Sequence, residues 1–148
     1  MLIAIGADHA GVNLKKDVIE VIKELGHEVV DLGCDCTTSV DYPDYALPVA
    51  EKVAKGEADR GILICGTGIG MSIAANKVRG VRCALVGDLF SAKATREHND
   101  TNVLALGERV IGPGLAQEIV RTWLTTEFSH GERHLNRLRK VNQIEQQG

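Results

Sequence analysis

The sequence of 148 residues predicts an α/β fold in which parallel strands are joined by helices. Three observations carry that prediction. Short β-branched apolar runs alternate with longer amphipathic stretches. The composition, 44% hydrophobic and 25% charged, is that of a globular domain rather than a disordered or membrane chain. The residues just after the strands are small and polar, as the ligand-bearing edge of such a sheet requires. A chain this long buries roughly 68–70% of its unfolded surface, so it builds a core without disulfides or a structural metal. Residues 1–148 therefore read as one domain.

Leu2 to Ile5 form the first strand. A secretory signal is not expected there, because the apolar run is short, has no cationic region before it and soon reaches Asp8. The first helix repeats Leu14, Val18, Ile22 and Leu25 on one face, while Lys15, Lys16, Asp17, Glu20, Lys23 and Glu24 fill the others. Gly26 ends it. His27 to Leu32 give the second strand, and Pro43 to Ala54 a helix with Ala46, Val49, Ala50 and Val53 inward. Ile62 to Cys65 is the third strand, Gly68 to Val78 the next helix, Val81 to Val86 the fourth strand, Leu89 to His98 a helix and Val103 to Leu106 the fifth strand. Leu115, Ile119, Trp123 and Leu124 give the following helix a buried stripe. The last segment, Glu132 to Gln147, carries only Leu135, Leu138, Val141 and Ile144, a thin stripe suited to docking on an already complete surface such as a second subunit.

A net charge of −3 excludes a broad basic footprint for nucleic acid or an anionic membrane. The few aromatic residues are scattered without basic interleaving, which is no platform for stacked bases. No stretch approaches the roughly 18 apolar residues of a membrane span. With no secretory signal, Cys34, Cys36, Cys65 and Cys83 are expected as reduced thiols in a cytoplasmic protein.

The sharpest segment is Cys65-Gly66-Thr67-Gly68-Ile69-Gly70, where alternate glycines let backbone N–H groups converge at a helix start and cradle an anion. No Lys-Ser/Thr completes a P-loop, and Met71 breaks the dinucleotide fingerprint. No arginine follows Cys65 closely enough for a phosphocysteine mechanism. At the strand end before this turn, Cys65 is placed to act as base or nucleophile; a buried inert cysteine is the alternative. Cys34 and Cys36 lack the second pair a metal site needs, and Cys83 reads as strand packing. His98 with Asn99 closes a helix at which an imidazole can exchange protons with a hydroxyl, or merely cap the end. Asp8 and His9 can orient sugar hydroxyls, or Asp8 can accept N–H bonds from the next helix. Asp31 reads as a loop cap. Arg133 and Arg137 share one helical face, and with Arg109 they suit a phosphate, although for the tail taken alone a solvated basic face that includes Arg139 and Lys140 is the favoured reading.

Taken together, Gly6-Ala7-Asp8-His9-Ala10-Gly11, Asp41-Tyr42-Pro43, Gly61 to Gly70, Ser72 to Lys77, Arg96 to Asn102 and Arg133-His134 closely resemble the type B ribose-5-phosphate isomerases, a group that also includes galactose- and allose-6-phosphate isomerases. The resemblance covers nearly the whole chain. It implies a Rossmann-like three-layer α/β/α sandwich around a five-stranded parallel sheet, with a C-terminal helix docking on a partner subunit. The assembly would be a homodimer, or a tetramer built from it, whose active sites combine residues of both subunits. It implies cofactor- and metal-free interconversion of an aldose phosphate and its ketose through an enediolate. By the same resemblance Cys65 is the proton-shuttling base and Thr67 its helper. His98 opens the ring with Asp8 assisting, Asn99 holds the substrate, Gly66, Thr67, Gly68, Ile69 and Gly70 stabilise the enediolate, and His9, Arg109, Arg133 and Arg137 receive the phosphate. A related subgroup uses a glutamate later in the loop, but here no acid lies between Gly66 and Asn76. Glu132, beside Arg133, departs from the family pattern. The other readings are an isomerase of a hexose or tetrose phosphate, a non-catalytic sugar-phosphate sensor, and a Cys-His acyl-transfer enzyme.

Overall fold

The computed structural model describes all 148 residues. Five strands form one parallel sheet in the order β2-β1-β3-β5-β4. They are β1 (Leu2–Ala7), β2 (Glu28–Asp31), β3 (Arg60–Cys65), β4 (Cys83–Leu85) and β5 (Val103–Gly107), and the helices are α1 (Val12–Glu24), α2 (Pro43–Ala54), α3 (Ile69–Ala75), α4 (Leu89–Asn99), α5 (Pro113–Thr125) and α6 (Glu132–Gln147). The central strands are apolar without a break because both faces of a parallel sheet are covered. Ile3, Ile5, Ile62, Ile64, Leu104 and Leu106 project to a core shared with α1 and α5. Ala4, Leu63, Cys65, Val103 and Ala105 project to the opposite core under α2 and α3. The three-layer sandwich expected from the sequence is the observed one. No helix is long and apolar enough to cross a membrane.

Helix ends follow local chemistry. Gly26, at φ +83°, closes α1: its N–H reaches the Lys23 carbonyl and that of His27 the Ile22 carbonyl, the paired bonds that satisfy a helix C-terminus. Asp88 caps α4, its carboxylate accepting from Ser91 N–H at 2.7 Å. The helix after β3 and the strand β4 are both shorter than the apolar pattern predicts, since Val78, Val81 and Val86 flank the elements rather than belong to them.

Three expectations need correction. Lys15 is not on a solvated face of α1 but only 1% exposed. Its Nζ lies 3.0 Å from Asp31, 2.7 Å from Asp35 and 3.0 Å from the Cys34 carbonyl. Burial pulls its ammonium down, but the hydrogen bonds and charges of Asp35 and Asp31 outweigh that and hold it above the ordinary lysine value. Leu115 is exposed, and the buried stripe of α5 is Ala116, Ile119, Val120, Trp123 and Leu124. Cys34 and Cys36 are joined as a disulfide, leaving only Cys65 and Cys83 as free thiols. Burial pushes the Cys83 thiol up to about 12, as befits a packing residue. Asp31 is the expected loop cap, accepting from Gly33 N–H at 2.9 Å.

Candidate active site

The carboxyl ends of β1, β3 and β5 converge on one edge, and there the glycine loop opens. Cys65 ends β3 on its α2/α3 face, 5% exposed. Its Sγ accepts the N–H of Gly68 at 3.1 Å, a contact a thiolate makes better than a thiol. Gly68 turns the chain into α3 at φ +79°, and an added Cβ would lie 2.9 Å from the Leu106 carbonyl carbon. The Ile69 N–H is engaged by Thr67 Oγ1 at 3.2 Å. Two amides of the expected cradle are thus directed at the loop's own side chains. Asp8 follows β1, 6% exposed, and its Oδ1 accepts from Ala10 N–H at 2.9 Å just before α1. The Asp8 N–H in turn reaches the Ile64 carbonyl at 3.2 Å, fixing the carboxylate's strand end beside that of Cys65.

The phosphate candidates on this edge also have defined places. His9 Nδ1 accepts from Val40 N–H at 3.1 Å, so in the neutral ring the proton sits on Nε2. Arg109 N–H reaches the Gly66 carbonyl at 3.0 Å, and the side chain runs close enough that a Cβ on Gly66 would touch its Nη1 at 3.4 Å. Glu108, which sequence reasoning missed, accepts the Leu14 N–H at 2.6 Å and so caps α1 from the end of β5. Tyr42, to which the sequence pattern gave no role, lies over Gly70. A cavity of about 300 Å³ adjoins the loop, lined by Thr67, Ile69, Leu85, Gly107, Val110 and Ile111 among others.

His98, Asn99, Arg133 and Arg137 are elsewhere. The end of α4 is held at the amino ends of β4 and β5: Arg82, just before β4, donates from Nε to the Asn99 carbonyl at 2.9 Å, and its N–H to Asn102 Oδ1 at 2.8 Å. The five residues of β5, at about 3.3 Å each, put roughly 17 Å between that end and the edge carrying Cys65. A buried polar hub anchors this second group. Arg96, 4% exposed, donates to Thr126 and Thr101 carbonyls and to the Asp100 carboxylate, while Trp123 Nε1 reaches Thr101 Oγ1 at 3.0 Å. Ser129 bonds the Glu97 carbonyl, which sets the start of α6 against the end of α4. Arg133 and Arg137 are exposed there, close enough to His134 for their charges to act on it.

A buried thiol at the switch point of a doubly wound parallel sheet, with a carboxylate on the neighbouring strand end and Arg109 beside the loop, defines the ligand-binding edge of an α/β protein suited to a small anionic ligand. Comparison narrows that class. The Ribose/Galactose Isomerase family model matches residues 3–141. The YwlF protein of Bacillus subtilis is 65% identical over 147 residues, 99% of this chain and 98% of its own. Ribose-5-phosphate isomerase B of Escherichia coli is 49% identical, covering 97% of this chain and 96% of its own. D-erythrulose-4-phosphate isomerase of Pectobacterium atrosepticum is 48% identical over 87% and 86% of the two chains. Among solved structures, ribose-5-phosphate isomerase B of Clostridium thermocellum superposes with a TM-score of 0.96 at 54% identity, covering 99% of each chain. This chain belongs to the ribose/galactose isomerase family.

Proposed function

We propose that this protein interconverts D-ribose 5-phosphate and D-ribulose 5-phosphate, with Cys65 as the base. The observation that carries the reading is the buried Cys65 Sγ facing the Gly68 N–H at the sheet's ligand-binding edge. The thiolate takes the C2 proton of the open-chain aldose, and the bonding pair forms the C1–C2 double bond of an enediolate. Cys65, whose acquired proton exchanges with solvent, delivers a proton to C1, while Thr67 relays a proton between the two oxygens. The loop N–H groups between Gly66 and Gly70 that are not turned to Cys65 and Thr67 stabilise the developing oxyanion, and one such donor is typically worth roughly 10²–10³ in rate. His98 opens the furanose with Asp8 assisting, Asn99 holds the sugar, and His9, Arg109, Arg133 and Arg137 take the phosphate.

Because His98, Asn99, Arg133 and Arg137 lie across the sheet from Cys65, we read the working site as one shared by two copies of the chain. Exposed apolar side chains support a partner at that edge: Ile69, Leu85 and Val110 line the cavity beside the loop, Ile73 lies on α3, and Leu89 and Phe90 open α4, Phe90 at 82% exposure. The stripe of α6 is open too, with Leu135, Val141 and Ile144 exposed. The similarity to the D-erythrulose-4-phosphate isomerase favours a second reading, the same chemistry on another sugar phosphate.

A metal-free isomerase assay tests both. Ribose 5-phosphate is run beside D-erythrulose 4-phosphate, allose 6-phosphate and galactose 6-phosphate, with Cys65→Ala as control. Conversion of the pentose is expected, falling at least about 10³-fold in the variant while its thermal unfolding stays within a few degrees. Preference for another sugar would retain the mechanism and change the substrate. Undiminished turnover by Cys65→Ala would remove the cysteine base, and binding without C2 proton exchange would leave a sensor.

A further inference from the structure

His134 has no part in the mechanism above, yet it is one of the few polar side chains the chain buries, at 7% exposure. Its imidazole lies flat against that of His98, with ring centroids 4.4 Å apart and planes 12° from parallel. Two helix ends make the stack. His98 stands in the last turn of α4 and His134 in the first turn of α6. Ser129 holds the two ends together by donating to the Glu97 carbonyl from Oγ at 2.7 Å and from N–H at 3.3 Å. A helix amino terminus disfavours a cation. Burial, followed by the charges of His98, Arg133 and Arg137, holds the His134 ring below the usual imidazole range, and Glu97 opposes them. These influences disfavour the protonated form of His134.

We propose that His134 is a positioning residue, a flat platform that fixes the plane of the His98 ring for proton exchange with the sugar's ring oxygen. The inference rests on the ring-opening role proposed for His98. Face-to-face contact constrains the terminal torsion of His98, otherwise broad for an imidazole, and leaves the ring's nitrogen edge to a ligand. Two stacked imidazolium ions would repel, so a platform whose protonated form is disfavoured lets its neighbour take up and release a proton freely.

The test separates ring opening from proton transfer at carbon. Ribulose 5-phosphate has its O5 blocked by phosphate and is open-chain, so deuterium from D₂O enters its C1 through the enediolate without any ring step. Conversion to furanose ribose 5-phosphate does require one. His134→Leu keeps the volume but offers no flat face, and His134→Phe restores a flat neutral face. We expect His134→Leu to slow conversion about tenfold while C1 exchange changes less than about twofold, and His134→Phe to recover most of the conversion. Parallel loss of exchange and conversion would make His134 a merely structural residue and overturn the proposal. A raised KM for both processes at unchanged kcat would make it a phosphate contact, which overturns the proposal equally. Absence of both activities in the unaltered protein would instead remove the isomerase reading and this inference with it.

Discussion

At the scale of single residues, the glycine loop is a set of backbone constraints around one sulfur. Gly68 is held at φ +79°, and an added Cβ would come within 2.5 Å of Leu85 Cδ1 and 2.9–3.0 Å of the Leu106 carbonyl. Leu106 belongs to β5 and cannot move without breaking its pairing with β3. Gly68→Ala is thus expected to cost about 2–4 kcal/mol in denaturant unfolding, from the left-handed backbone plus the clash. It should also lower kcat sharply, because the N–H facing Cys65 shifts with the turn. At Gly70 the obstruction is the Tyr42 ring, 2.6–2.9 Å from an added Cβ. Tyr42 is 38% exposed and can swing outward, so Gly70→Ala should change stability by less than about 1 kcal/mol. Equal losses in the two variants would mean that the loop's tolerance is not set by what each glycine faces.

The candidate residues on the Cys65 edge were readable from the sequence because each ends or directly follows an apolar strand, and strand ends are the easiest positions to find in a doubly wound pattern. Asp8 after β1, Cys65 at the end of β3 and Arg109 after β5 all stand where the sequence puts them. Residues whose role depends on distant partners were not readable. Glu108 caps a helix 94 positions away, and nothing local in Gly107-Glu108-Arg109 announces it. Lys15 did leave a signal. It lies three residues before Val18 and seven before Ile22, on the buried stripe itself, but an ammonium there is hard to credit without seeing the acids that meet it.

At the scale of elements, the Lys15 cluster is what fastens the loop after β2 to α1. It joins Asp31 at the strand end, the Cys34 carbonyl beside the Cys34–Cys36 disulfide, and Asp35. The same loop runs on to Val40, which engages His9, so its position bears on the side of the site proposed to take the phosphate. Lys15→Met keeps the apolar stem and removes the charge. The acids it leaves are partly or largely exposed, at 36% and 80% for the side chains of Asp31 and Asp35, so they rehydrate rather than remain stranded. A loss of about 1–3 kcal/mol is expected. The pH dependence has a definite sign. The Asp35 carboxyl is held below its ordinary 3.8, first by the hydrogen bond and then by the charge of Lys15. The stabilisation this contributes is present above pH 3.8 and is lost as pH falls through the depressed native value. Lys15 is held above 10.5, so its contribution is present below pH 10.5 and is lost as pH rises through the raised native value. The stability gap between the parent and Lys15→Met should therefore be level across neutral pH and close at both extremes. A gap that widens on acidification would show that the pair is not the source.

For the whole molecule, the decisive fact is that one chain places its candidate site residues at both ends of its sheet. The topology requires this. A helix that follows the carboxyl end of β4 must finish at the amino end, so His98 and Asn99 cannot reach the Cys65 of their own chain without unfolding α4. If catalysis uses both groups, Cys65 of one copy must meet His98 of another. Complementation tests that requirement. Cys65→Ala and His98→Ala are each expected to be inactive on ribose 5-phosphate alone. When the two variants are refolded together, about half of the dimers formed at random are mixed, and each mixed dimer has one site with both groups intact and one with neither. Activity should then recover to about a quarter of the parent value. The recovery should depend on subunit exchange, appearing after co-refolding or co-expression and not after brief mixing of preformed proteins. No recovery in co-refolded material, with mixed dimers demonstrated by native mass spectrometry, would place Cys65 and the ring-opening group in one chain. It would also mean that a residue other than His98 performs that step.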